Sequence, residues 1–94
     1  MNHQQQEPII GGVYRHYKST GGNHHTYKVI GIAHNTETDE LMVIYLPLYP
    51  NEVINSSSAN FFSRPLSMFM DSVNINGKSH ARFELVNDPY NSGL

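Results

Sequence analysis

TYKVIGIAHNTETDELMVIYLPLY, residues 26–49, decides the fold. Two runs rich in Val, Ile, Leu and Tyr flank NTETDE at 35–40, which holds no apolar residue. β-Branched and aromatic residues suit a pleated surface, and a polar stretch with Asn and Asp suits a turn. The spacing therefore predicts two antiparallel strands, 26–34 and 41–49. In the first, alternation puts Tyr27, Val29, Gly31 and Ala33 on one face and Lys28, Ile30, Ile32 and His34 on the other. A glycine in mid-strand, Gly31, predicts a bend or a close backbone approach. In the second, Leu41, Val43 and Tyr45 alternate with Met42, Ile44 and Leu46. Both faces are apolar, so this strand is expected to be covered on both sides, by a barrel interior and by something packed outside.

Working outward, GVYRHYK at 12–18 reads as a strand after a glycine pair, with Val13, Arg15 and Tyr17 facing away from Tyr14, His16 and Lys18. STGGNHH at 19–25 reads as a loop on turn chemistry. PNEVINSSSAN at 50–60 reads as a long loop. Proline favours the first helical position, and from Pro65 onward Leu66, Phe69, Met70 and Val73 fall on one helical face. A short amphipathic helix is expected there, covering the second of the two strands or an open barrel end. NING at 74–77 is a turn, and KSHARFELV at 78–86 is a last strand with Ala81, Phe83 and Leu85 opposed to His80, Arg82 and Glu84. The sum is mainly β: a small SH3-like antiparallel β-barrel of four to five strands, closed to remove its edges, with one short helix before the last strand. The domain is expected over 11–86, between flexible tails at 1–10 and 87–94.

Composition bounds the function. A chain of 94 residues makes one small domain, and such domains bury only roughly 60–70% of their unfolded surface. Six tyrosines and four phenylalanines, with no tryptophan, supply a thin core whose phenols reach polar partners. Six Lys and Arg against eight Asp and Glu give a net charge of −2, which argues against general affinity for nucleic acid but leaves room for a local basic patch. Without cysteine there is no disulfide framework, thiol nucleophile or thiolate metal site. MNHQQQEPII lacks the basic and apolar segments of a secretory signal, and no apolar run nears the ~20 residues of a membrane helix. A soluble, cytoplasmic protein without membrane association is the expectation.

YRHYK at 14–18 concentrates aromatic and nitrogen-bearing side chains. Arg15, His16, Tyr17, Lys18, Arg64 and Arg82 suggest an anion-binding surface, because guanidinium groups match phosphate or carboxylate in pairs and tyrosines offer stacking faces. The plainer reading pairs the arginines with Glu37, Glu84 or Asp71 and buries the tyrosines. His16 is the one candidate for acid–base work, since imidazole titrates near neutrality; its plainer role is a half-buried strand histidine. His24 and His25 are adjacent, but with His3 and His34 they show no metal-ligand spacing, so no metal is expected. Glu37, Asp39 and Glu40 sit in a turn, where acids serve solvation. The glycine pairs make no phosphate-cradling loop, and no cofactor is expected.

Gly12, YRHYK at 14–18, Tyr27 with Val29, Ala33, Glu37 with Thr38, Val43 with Tyr45, Leu48 with Tyr49, RPLSMF at 64–69 and Arg82 with Phe83 occur in order. In this the chain resembles the DUF1653 family, small bacterial proteins of unknown function, over about residues 11–84. Where that family has Arg-His after its alanine, this chain has His34 and Asn35; where it has Trp before Val-Arg-Pro, this chain has Phe62 and Ser63. The resemblance implies a shared fold and brings no activity with it.

The leading expectation is a binding module whose cleft, lined by Tyr14, Arg15, His16, Tyr17, Tyr45, Arg64 and Arg82, takes an anionic or aromatic group of a nucleotide, nucleic acid or protein tail. One alternative is a small hydrolase-like enzyme on a modified nucleotide with His16 as base. Another is an assembly protein, a homo-oligomer packing through strand 41–46.

Overall fold

In the computed structural model, which describes residues 6–21 and 24–90, the 26–49 stretch forms strand β2 (Thr26–His34) and strand β3 (Leu41–Pro47). The turn between them is closed by Asn35, whose side-chain oxygen accepts the Glu37 and Thr38 amides at 2.9 and 3.3 Å. Asp39 takes the left-handed backbone that this tight return requires (φ 63°). Strand β2 is bulged: Val29 faces Tyr45, but the next paired residue is Gly31, opposite Ile44, so Ile30 is extra. The bulge exchanges the inward face. Tyr27 and Val29 are buried before it, and beyond it Ile32 packs on the core, in place of the Gly31 and Ala33 face expected from strict alternation.

Strand β1 (Val13–His16) pairs with β2, and strand β4 (Phe62–Pro65) pairs with β3. With strand β7 (Phe83–Asn87) on the far side of β1, the antiparallel sheet runs β4-β3-β2-β1-β7. It curls until Phe83 stands 5.8 Å from both Tyr27 and Tyr45. Among the described residues no strand pairing joins β4 to β7. The sheet is an open cup, and the closed barrel of the sequence reading is not found. Strand β3 is fully buried on one face only: Val43 and Tyr45 are buried, whereas Met42, Ile44 and Leu46 on the other face are half-buried.

A one-turn helix α2 (Leu66–Phe69) plugs the cup with Leu66 and Phe69. The two turns expected from Pro65 do not form, because the chain reverses at Met70 and Val73 enters strand β5 (Ser72–Ile75). The loop expected at 50–60 contains helix α1 (Glu52–Ser56), capped by the Asn51 side chain, which accepts the Val53 and Ile54 amides. Among the described residues no helix is long and apolar enough to cross a membrane.

The single last strand expected at 78–86 is two strands. Strand β6 (Lys78–Ala81) pairs only with β5, and β7 joins the main sheet, with Arg82 at the joint. The β5–β6 hairpin turns on Asn76 and Gly77 (φ 53° and 83°), the positive-φ pair that a two-residue hairpin loop favours. It is exposed along most of its length. Its root is clasped: Arg82 donates to both Asp71 carboxylate oxygens at 2.7 and 3.3 Å, and the Arg82 amide donates to the Asp71 carbonyl at 3.0 Å. The Tyr17 amide bonds the Arg82 carbonyl at 3.0 Å, tying the root to the end of β1. Asp71→Ala is expected to lower global stability by only about 1 kcal/mol, as for a half-exposed ion pair. It should speed hydrogen exchange of amides 72–81 well beyond that of β2 and β3; equal acceleration in both regions would show that the clasp is not local.

The tails expected at 1–10 and 87–94, and the loop at 19–25, lie partly outside the described residues. Within the first, Pro8 is buried and the Ile9 amide donates to the Tyr14 hydroxyl at 2.9 Å; just past it, the Gly11 amide donates to the Val29 carbonyl.

Candidate anion-binding site

Phe83 is the floor of the site. It is buried, stacks flat on Phe69 with centroids 4.2 Å apart, and contacts Tyr27 and Tyr45 edge-on. Strand β4 delivers Arg64 over this ring, its guanidinium carbon 5.2 Å from the centroid. Strand β1 delivers His16 to the same ring, edge-on at 5.0 Å. The Arg64 Nε donates to the Tyr45 hydroxyl at 3.3 Å. The register of β3 with β4 sets Arg64 opposite Val43 and brings its side chain to Tyr45. Arg64 is half-buried, and among the described residues no carboxylate comes within ion-pairing distance of it. Ion pairs seen among the described residues are Arg82 with Asp71 and an exposed one between His34 and Asp39.

His16 is electrically crowded. Burial, then the Arg64 charge, then His25, Arg82 and Lys18 push its pKa down to about 4. It is therefore neutral at pH 7. Its Nδ1 accepts the Lys18 amide at 3.2 Å, which places the ring proton on Nε2 and makes that nitrogen a donor. Tyr17 tilts against the ring at 4.6 Å, and His25 meets it at 6.0 Å. His25 in turn stacks on His24 and touches Tyr49. Tyr49 and Tyr27 share a 2.8 Å hydroxyl bond, and burial with this bond holds the Tyr27 phenol far above its ordinary pKa.

Beside His16 opens a groove of about 440 Å³. Arg15, His16 and Tyr17 line it on the β1 side and Ile75 and His80 on the hairpin side, and Glu84, which stands opposite Arg15 in the β1–β7 pairing, also lines it. Of the residues singled out in the sequence, Arg15, His16 and Tyr17 meet here and Arg64 adjoins through Phe83. Arg82 is committed to Asp71. Tyr14 lies in the core, edge-on to Phe69 at 5.4 Å. Tyr45 is also buried and reaches the site only through its hydroxyl. Sequence reasoning missed His25, Tyr49, His80 and the floor role of Phe83. The alternation His80-Arg82-Glu84 carried a usable signal, three ionisable residues at every second position; the loop residues His25 and Tyr49 carried none.

The fold and site define a small, mainly β domain with a groove lined by Arg15, His16, Tyr17 and His80 at the seam between a curled antiparallel sheet and a clasped hairpin. The DUF1653 family model, described as a protein of unknown function, matches residues 12–85, and the chain belongs to that family. A crystal structure of a DUF1653 protein from Bordetella bronchiseptica is similar, with 31% identity and a TM-score of 0.63 over 83% of this chain and 87% of that one. Comparison with the curated proteins returns no match.

Proposed function

We propose that this protein is a binding module for a small anionic ligand, held where Arg64 and His16 stand on Phe83, in a cup with the concavity of an SH3-like barrel. One observation carries the reading: a half-buried guanidinium is held by a phenol and an aromatic face and by no carboxylate among the described residues. Withdrawing such a charge from water is unfavourable until an anion compensates it. The Nε2–H of neutral His16 adds a donor, and Arg64 keeps its remaining N–H groups for a phosphate, sulfate or carboxylate.

The test is a titration with inorganic phosphate followed by the NMR shifts of Arg64 and His16. Arg64→Ala should weaken binding at least tenfold, the loss of about 1.5–3 kcal/mol that goes with a charge-assisted bond. A folded Arg64→Ala protein that binds phosphate as well as the wild type would remove the reading. The enzymatic alternative, with His16 as general base, has less support: a base works best with a pKa near the working pH, whereas this imidazole titrates near 4 with Nδ1 already engaged.

A further inference from the structure

Resting on the anion-binding reading, we infer that the groove beside His16 is a nucleobase pocket, and that the ligand is a nucleoside monophosphate whose base carries an exocyclic amino group. His16 belongs both to the anion site and to the groove, so a ligand whose phosphate sits on Arg64 and His16 reaches the groove by extending past His16. The groove, at about 440 Å³, lies within the range of small-molecule sites and is too small for a folded partner.

Its walls suit a flat heterocycle. Tyr17 lines it on the β1 side, its ring tilted against His16 at 4.6 Å with the Lys18 Nζ 5.8 Å from its centroid, and Ile75 lines it from the hairpin. In the hairpin register Ile75 faces Lys78 and Val73 faces His80, so these four side chains share one hairpin face and Ile75 and His80 turn together to the groove. A ring lying between an aromatic and an aliphatic side chain is held without regard to its hydrogen-bonding edge. Selection by edge falls to Glu84. Its carboxylate is the groove's acid, exposed and acceptor-only. An amino group on the base donates to it; a carbonyl at the same place faces it with like partial charge. Cytosine is therefore favoured over uracil and adenine over hypoxanthine, since a site built to accept a hydrogen bond rejects the analogue that cannot donate one.

The full-length chain is to be titrated calorimetrically with inorganic phosphate, cytidine monophosphate and uridine monophosphate. Cytidine monophosphate is expected to bind at least tenfold tighter than phosphate and about fivefold tighter than uridine monophosphate. Glu84→Gln, whose amide both donates and accepts, should level the two nucleotides; Glu84 is exposed, and circular dichroism verifies that the variant is folded. Nucleotides binding no tighter than phosphate would overturn the base pocket while leaving the anion site standing. Absence of binding by all three would overturn both. A cytidine preference that survives Glu84→Gln would overturn the role given to Glu84.

Discussion

Replacing Phe69 with alanine is expected to remove about 3–5 kcal/mol of stability, a large share of what a small domain possesses. Phe69 is 1% exposed and sits at the centre of the cup. It stacks on Phe83 at 4.2 Å and meets Tyr14 and Tyr45 at 5.4 and 5.5 Å. The helix that carries it has a single turn, so backbone propensity contributes little and the ring itself fastens α2 to the sheet. Truncation leaves a cavity bounded by three rigid aromatic rings, which cannot collapse to fill it. Urea denaturation measures the loss as a fall in midpoint at constant slope. Met68→Ala, one residue away and 43% exposed, should change stability by less than about 0.5 kcal/mol. Equal effects of the two substitutions would mean that α2 does not pack as described.

The second large effect is in pH, and it has opposite signs for the free and the anion-bound protein. His16 has its pKa lowered from 6.5 to about 4 in the folded chain. Between those values the unfolded chain binds the extra proton, so the contribution to stability is fully present above pH 6.5 and is lost as pH falls towards 4. The ring is partly open to solvent, and screening reduces the expected loss to about 1–2 kcal/mol. A dianion on Arg64 reverses the balance, because it favours the imidazolium that Arg64, His25, Arg82 and Lys18 otherwise oppose. Binding then takes up a proton, and affinity for sulfate, which stays doubly charged throughout, should rise about tenfold from pH 7 to pH 5. His16→Asn should flatten both profiles. A sulfate affinity with the same pH dependence in wild type and His16→Asn would take His16 out of the site.

What the residues disclosed in advance follows from the range of the interactions involved. Strand β2 was legible to its ends because its alternation and its flanking turns are local. Gly31 marked the irregularity at Ile30 correctly, but the exchange of faces beyond it needs the partner strand, which periodicity does not contain. The apolar spacing of Leu66, Phe69, Met70 and Val73 looked helical for two turns. The first two are indeed buried on α2, while hairpin pairing and the Asp71 clasp draw Val73 into β5. Strand β4 was hidden by its length, four residues that end in a proline. In KSHARFELV the alternation runs unbroken through Arg82, so nothing local shows that the two halves pair with different sheets. The site divides the same way. Arg15, His16 and Tyr17 are neighbours in sequence and in space, whereas His25, Tyr49 and His80 arrive by topology.

The hairpin rooted at Asp71 and Arg82 has an implication for how such a protein diversifies. Most of its side chains are exposed, so replacing them leaves the aromatic interior undisturbed, while three of its residues, Ile75, His80 and Ala81, border the groove. One side of the groove is thus carried by an element that pairs apart from the sheet holding the aromatic interior. Exchanging that finger for another of equal length would change that side of the groove without rebuilding the cup.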